Sequence, residues 1–545
     1  MTQKWLEWAL SASNETEMLD VIYKLGEFDR YQASQGILAA ARFVSRAAKE
    51  GGMGDVVIHP FTADGSRCWW DFQAPIAWTP VKATLSLLHP PCVLNHQSEP
   101  YTLATYSAAA CGLYPLVFLD EVNDLSGKIV LIPAAQYQPA GLLARLKQRG
   151  AVGFVTDAFA RFDPDSGRFW RGRLELPPGC ELFAFSVLPQ ELRNLADGET
   201  EAHVEIVIDD KATMPVVSAS IPGMPEEREI WVTAHLCHSR AGANDNASGV
   251  SASLEVAKLA QRWVKMSGTL RYPLRFIWGP EFLGVAAMQH KRRHLPGPIA
   301  VINLDMVGED PERCGSPMCV ELPPARLASP LGEMAKTLMQ TVFALTAGYP
   351  GSWLCMPFHG FSDHALFMNH SDAQRNCPAV QLCHINDRFN HTAADLPDKV
   401  SATEMKRTVA VTLALIMQLQ ALEPEQIMPP RQALAPEHGG VTGRWAGPLN
   451  LRGLIQQLHN PLRQSIETLI ARDKRYLALL HLCAIGADGR QREALVRESA
   501  NTIGLTLSDE AAVALFALFE ASAYFQVCTA GHIPGDEPYG STTAL

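Results

Sequence analysis

Apolar residues along the chain fall into distinct textures. Between about residue 213 and residue 425, short apolar runs alternate with longer segments whose apolar positions recur at helical spacing. "EIWVTAHL", "LRFIWG", "IAVINLDMV" and "PAVQLCH" are the runs; "ASGVSASLEVAKLAQRWVK", "SPLGEMAKTLMQTVFALT" and "ATEMKRTVAVTLALIMQLQAL" are the periodic segments. Strands without an inside–outside alternation are buried on both faces, so the pattern predicts an α/β domain with a mostly parallel, mixed sheet sandwiched by helices. The first 60 or so residues read as helices, including "MLDVIYKLGEF" and "GILAAARFVSRAAKEGG", ending in a strand "GDVVIHPF". From about 70 to 212, "KIVLIPA", "AVGFVTDAF" and "AHVEIVID" are short strands rich in branched residues, with one helix "AGLLARLKQRG" between the first two. A proline- and glycine-rich stretch, "EPEQIMPPRQALAPEHGGVTGRWAGP", then separates a small helical unit. The expected domains are 1–65 with 213–428, an inserted unit at 66–212, and a terminal unit at 440–545.

The gross numbers narrow the function classes. At 545 residues the chain is too long for one core. With 47% hydrophobic and 19% charged residues, a large core is affordable in composition terms. The net charge of -11 argues against broad binding to nucleic acid or to anionic membranes. No apolar run approaches the length of a membrane span. The start, "MTQKWLEWALSASNETEMLD", is a poor signal peptide, and twelve cysteines in so long a chain are no disulfide framework. The expectation is a cytoplasmic protein with reduced thiols.

The chemistry collects just past strand ends, where open α/β sheets bind ligands. "HLCHSRAGANDNASG" puts His235 after "EIWVTA" and Asp245 in a polar turn ahead of a helix. Histidine nitrogen and carboxylate oxygen are ligands that zinc takes when cysteine is not used, although a helix-capping aspartate would explain Asp245 equally well. "FIWGPEFLG" places Glu281 after a second strand, "AVINLDMVG" places Asp305 at the end of a third, and "FNHTAADLPDKV" places His391 after a fourth. One sheet edge would thus collect two histidines and three carboxylates.

"GANDNASG" at 242–249, "NLDMVG" at 303–308, "SDHALF" at 362–367 and "HTAAD" at 391–395, in that order, resemble the zinc aminopeptidase family of the bacterial leucine aminopeptidase type, whose relatives include glutaminyl cyclases and glutamate carboxypeptidases. The resemblance implies that His235, Asp245, Asp305 and His391 are metal ligands, with Asp245 between two zincs, and that Glu281 is a general base. Two positions depart from it. The family's Glu-Glu pair is Glu281 and Phe282 here, and a phenyl ring cannot coordinate a metal. The aspartate of the His-x-Asp pair is Cys237, followed by an additional His238. The expectation is therefore one tightly held zinc rather than two. His238 is either a substitute ligand or a side chain bonded to a backbone carbonyl, and Cys237 and Asp363 are candidates for supporting roles. "SGKIVLIPAAQYQPAGLLARLKQRGAVGFVTD" resembles the protease-associated domain found inserted into zinc peptidases. The whole combination resembles a branch that adds a C-terminal winged helix. The terminal unit shows no cluster of basic residues, so packing or homo-oligomer formation is expected there, and no nucleic-acid partner.

The functional expectation is a zinc-dependent hydrolase of amide bonds, an aminopeptidase acting on a peptide or small amide. The same fold also serves acyl transfer of the glutaminyl-cyclase kind or hydrolysis of a non-peptide amide. A third alternative is a non-catalytic binding protein built on a degenerate site.

Overall fold

A computed structural model describes residues 2–528 apart from 90, 122, 199, 226, 328, 429–436 and 438–439. Its centre is an eight-stranded mixed sheet. In chain order the strands are β1 (Gly54–Phe61), β2 (Met214–Ile221), β3 (Ile230–His235), β4 (Leu274–Gly279), β5 (Ala300–Leu304), β6 (Met318–Glu321), β7 (Trp353–Met356) and β8 (Ala379–His384). Their spatial order is β1-β2-β4-β3-β5-β8-β6-β7. The central four, β4, β3, β5 and β8, run parallel. β1 and β2 are antiparallel additions on one side, and β6 joins β8 antiparallel on the other. The carboxyl ends of the parallel strands therefore meet along one edge.

Alternate residues of each central strand enter different cores, as the pleat requires. Val217, Val232 and Ile302 face one core, which also holds α1 (Thr2–Ala12), α2 (Glu15–Leu25), α3 (Gln35–Glu50), α4 (Gly249–Ser267), α5 (Leu331–Leu345) and α6 (Ala402–Leu419). Val216, Trp231 and Val301 face the other. There the covering comes from Leu283–Lys291, from the turn Asp363–Phe367 and from the terminal unit, through Leu454, Ile466, Leu479 and Phe519. The terminal unit thus packs on the sheet domain, one of the two roles its apolar helices suggested.

Residues 79–209 build a second, seven-stranded sheet with its own core. The strands Ile129–Ile132 and Gly153–Thr156 and the helix Leu142–Gln148 fall where the branched runs and helical spacing place them. Five further strands, Thr79–Leu87, Cys92–Asn95, Ala110–Phe118, Phe183–Ser186 and Glu201–Asp209, complete it. In the terminal unit, the stretch 460–485 forms two helices, Asn460–Arg472 and Arg475–Ile485. Asp473 breaks it: its carboxylate accepts the Arg475 N–H at 2.9 Å, which starts a new helix in place of continuing the old one. A three-stranded sheet of Gly440–Gly443, Asp488–Gln491 and Phe525–Val527 holds the unit's ends together. No helix among the described residues is long and apolar enough to cross a membrane. Among the described residues the cysteines form no disulfide.

Candidate metal centre

The turn between β3 and α4 is shaped by its own polar side chains. Asn246 donates through Nδ2 to the Leu304 carbonyl at 2.9 Å, and its Oδ1 accepts from Met306 N at 3.1 Å. Asn244 Oδ1 accepts from Gly308 N at 3.1 Å, and Ser248 Oγ accepts from Val307 N at 3.0 Å. "GANDNASG" and "NLDMVG" therefore staple each other, which fixes Asp245 against Asp305. Gly249 has to lack a side chain, because a Cβ there would lie 2.3 Å from the Leu304 carbonyl oxygen. Gly242 turns at φ +62, with Asp245 O and His238 Nδ1 each 2.5 Å from where a Cβ would stand. Asp395, the last residue of "HTAAD", accepts from Asn244 N at 2.7 Å and from Asp245 N at 3.0 Å, closing the turn from below.

Each sequence-selected residue reaches this edge, and they sort into two groups. His235, Glu281 and Asp305 offer donor atoms all within 4.8 Å of one another, and so do His238, Asp245 and His391. Asp245 joins the groups. Its Oδ1 is 3.2 Å from His235 Nε2, while its Oδ2 is 3.2 Å from both His238 Nε2 and His391 Nε2. Asp305 Oδ1 stands 3.1 Å from His235 Nε2. Both buried histidines point the same way for the same reason. His235 Nδ1 lies 3.0 Å from the Cys237 carbonyl and His238 Nδ1 lies 2.9 Å from the Ser239 carbonyl. Each Nδ1 must carry the proton that a carbonyl accepts, which leaves Nε2 as a lone pair aimed at a carboxylate. Two lone pairs at that distance repel unless a proton or a metal cation lies between them, and without a metal the raised pKa of His235 supplies the proton. His238 Nε2 and Asp245 Oδ1 are buried and make no hydrogen bond. The donor set and these orphaned atoms fit divalent metal ions such as zinc.

The electrostatics agree. Desolvation opposes a charge on His235, but Asp305 and Asp245 outweigh it and hold the ring's pKa well above the usual value. His238 goes the other way, lowered by burial against the pull of Asp245. Asp245 is held well below the carboxylate range despite burial, through His238, His235 and His391. Glu281 is partly accessible, yet desolvation, then Asp305, Asp363 and Asp245 against the relief from His235, push it up to about 8. A bound dication would draw that value back down.

The neighbours of Glu281 explain the odd pair "EF". Glu281 N donates to Cys237 Sγ at 3.2 Å, so the thiol supports the turn that carries the carboxylate. Phe282 N donates to Asp363 Oδ1 at 2.6 Å, and Phe282 takes φ 58, turning its ring into the core shared with the terminal unit, where the Arg452 guanidinium sits 5.8 Å from its centroid. Burial raises Asp363 to about 6. Asp363 therefore holds backbone here. His238 faces the Ser239 carbonyl through Nδ1 and Asp245 through Nε2.

Three contributors carried no local signal. Arg30 is 1% exposed and donates to the carbonyls of Leu236 at 2.9 Å, Ala241 at 3.0 Å, Gly242 at 3.0 Å, and Leu25. It clamps the whole loop from His235 to Asp245 onto α2. The inserted unit reaches His391: Arg173 N donates to the His391 carbonyl at 2.8 Å, and Ala393 N donates to the Arg171 carbonyl at 2.8 Å. Tyr101, from the same unit, lies with its ring 6.5 Å from that of His238, and its buried hydroxyl has no hydrogen-bond partner.

A mixed α/β sheet whose parallel strands deliver histidines and carboxylates to one edge defines a metallopeptidase-like hydrolase. Residues 216–416 match peptidase family M28, and the chain carries a domain of that family. No curated protein matches in sequence. The fold is shared with a crystal structure of a candidate peptidase from Clostridium acetobutylicum, at 14% identity over 96% of this chain and 99% of that one, with a TM-score of 0.56. A peptidase M28 precursor from Shewanella amazonensis is similar at 18% identity, covering 79% of this chain and 99% of its own, with a TM-score of 0.54. A zinc aminopeptidase from Bacillus subtilis is similar at 18% identity, covering 76% and 98%, with a TM-score of 0.53.

Proposed function

We propose that the chain is a metal-dependent aminopeptidase whose centre takes two zinc ions. One would be held by His235, Asp305 and Asp245 Oδ1, the other by His238, His391 and Asp245 Oδ2. The observation that carries this reading is the split of the Asp245 carboxylate, with one oxygen turned to each histidine group. It departs from the one-zinc expectation, which rested on Phe282: the geometry offers His238 in the lost ligand's place. Zinc there supplies Lewis acidity that polarises the scissile carbonyl and makes water acidic.

The remaining steps belong to the chain's own groups. Glu281, partly accessible beside His235 and Asp305, takes the water's proton and hands it to the departing amine. Desolvation makes it a stronger base than an ordinary glutamate. Its turn is held on both sides, by the Cys237 thiol and by Asp363, so the carboxylate does not swing away. The inserted unit, paired to the His391 loop, borders the centre and restricts entry to a chain end.

The test joins elemental analysis to a panel of aminoacyl chromogenic amides assayed with and without zinc. The reading expects about two zinc per chain at this centre, about one fewer in His238→Ala than in wild type, and hydrolysis only of amides with a free amino terminus. Equal zinc in wild type and His238→Ala would remove His238 from the ligand set. Cleavage of blocked amides, or cyclisation of an amino-terminal glutamine, would move the activity to the amidase or acyl-transfer alternative.

A further inference from the structure

A third group of donors lies behind the centre. Glu309, Cys314 and Asp387 bring one ligand atom each within 4.8 Å of one another. Glu309 and Cys314 come from the loop after β5, and Asp387 from the loop after β8 that goes on to carry His391. Glu309 is 0% exposed, and neither of its carboxylate oxygens makes a hydrogen bond. The buried Ser316 hydroxyl beside it is also without a partner. Among the described residues, neither Glu309 nor Asp387 has an ion-pair partner. The cations in this region are engaged elsewhere: Arg388 with Asp165 at 2.5 Å, Lys399 with Asp398 at 2.7 Å, and Arg313 with Asp398 at 3.2 Å.

Two carboxylates this close, with one fully buried, need a positive charge between them. A shared proton is one solution, and burial together with Asp387 does push Glu309 up to about 10. A proton, however, serves one oxygen of each carboxylate. It leaves the other Glu309 oxygen to the Ser316 hydroxyl and the Cys314 thiol, which also reaches the Lys399 carbonyl at 3.8 Å. A divalent ion uses one atom from each of the three side chains. The donor types select the ion: a thiolate beside two carboxylates suits a borderline-soft cation, not magnesium or calcium.

We infer that Glu309, Cys314 and Asp387 form a further zinc site, separate from the centre around Asp245. Its place in the fold gives it a structural role. Asp387 Oδ1 accepts from Phe389 N at 2.6 Å, and its Oδ2 lies 3.4 Å from Asn244 Nδ2, in the turn that holds Asp245. Glu309 bridges to Val400 through the backbone, and Asp310 N donates to the Lys399 carbonyl at 2.7 Å. Cys314, Phe389 and Ala394 form a small apolar cluster with Trp170 of the inserted unit packed on it. An ion at this point ties both ends of the His391 loop to the loop after β5.

Cobalt(II) gives the test a signature independent of activity, because only a thiolate ligand produces a sulfur-to-cobalt charge-transfer absorption in the near ultraviolet. The full-length protein is loaded with cobalt and scanned, and the zinc form is counted by elemental analysis after dialysis. Wild type and Cys237→Ser should both show the band; Cys314→Ser should lose it and hold about one zinc fewer per chain than wild type. Glu309→Gln, nearly isosteric, should weaken or abolish the same band and guards against misfolding of the cysteine variant. A cobalt-saturated wild type without the band overturns the inference. So does a band that survives in Cys314→Ser, which would place the thiolate at Cys237, or an unchanged zinc count in that variant.

Discussion

Replacing Arg30 with methionine removes a guanidinium while keeping most of the side chain's volume. What it leaves behind is four backbone carbonyls, of Leu25, Leu236, Ala241 and Gly242, in a place where Arg30 itself is 1% exposed. A hydrogen bond from a charged donor is worth about 1.5–3 kcal/mol, and an acceptor stranded in the interior costs about 1–3 kcal/mol. The plain sum overshoots, for two reasons. Arg30 bears its own desolvation cost, visible as a guanidinium pKa lowered by burial against the pull of Asp395 and other nearby groups. Its backbone pairing with His238, 2.8 Å in each direction, survives the substitution. The net loss expected is about 3–5 kcal/mol, the range for removing one partner of a buried charged network. Because three of the four carbonyls that the guanidinium holds belong to the ligand loop, the loss should show there first. Amide hydrogen exchange over residues 236–245 should accelerate while β5 and β8 stay protected, and metal affinity should fall about 10–100-fold, as for groups that orient ligands. Arg30→Lys should fall between the two, since an ammonium has three donors and no fork. Exchange and metal content both unchanged in Arg30→Met would refute the clamp.

Glu281→Gln should keep metal and fold yet lower turnover by about 10²–10⁴, the scale of a general base, whereas Asp245→Asn should lose metal; zinc lost equally from both variants would make Glu281 a ligand. His481 sits buried under the sheet domain with its pKa lowered from 6.5 to about 4 by burial and by His364, so between those values the unfolded chain binds a proton that the folded chain does not. Stability should therefore fall as pH drops from 6.5 towards 4, by about 3 kcal/mol from this residue, and denaturant midpoints for His481→Gln should lose that part of the acid sensitivity.

The parts legible in the sequence were those whose physics is local. A strand buried on both faces announces itself as an unbroken apolar run, and a polar residue straight after it has nowhere to go but the sheet edge; that is why His235, Glu281 and Asp305 stand out in the sequence alone. The short strands β6 and β7 escaped because four residues carry too little pattern. Arg30 escaped for a different reason. Nothing in "LGEFDR" marks one arginine as buried, since three of its four partners are backbone carbonyls more than 200 residues away, and carbonyls have no sequence. The pairing of Arg171 and Arg173 with the His391 loop is invisible on the same ground. His238 was visible as a histidine, but whether its second nitrogen met solvent or Asp245 depended on the loop's path, which Arg30 and Gly242 decide.

Phe282 shows how these long-range terms bear on the proposed chemistry. A glutamate at that position would belong to the metal edge. The phenyl ring instead serves the core that the sheet domain shares with the terminal unit, beneath Arg452, and Asp363 pins its backbone. The ligand role passes, on the proposed reading, to an imidazole three residues past the end of β3, at His238. That exchange is not neutral. A neutral ring in place of a carboxylate leaves the centre one negative charge poorer, so cations are held less firmly and whatever water they carry is more acidic. Glu281, already raised towards neutral pH by burial, then faces a stronger pull from the cations, and the two shifts oppose each other. A base returned towards the ordinary carboxylate range is ionised at neutral pH and can act, which is the condition the proposed mechanism places on it.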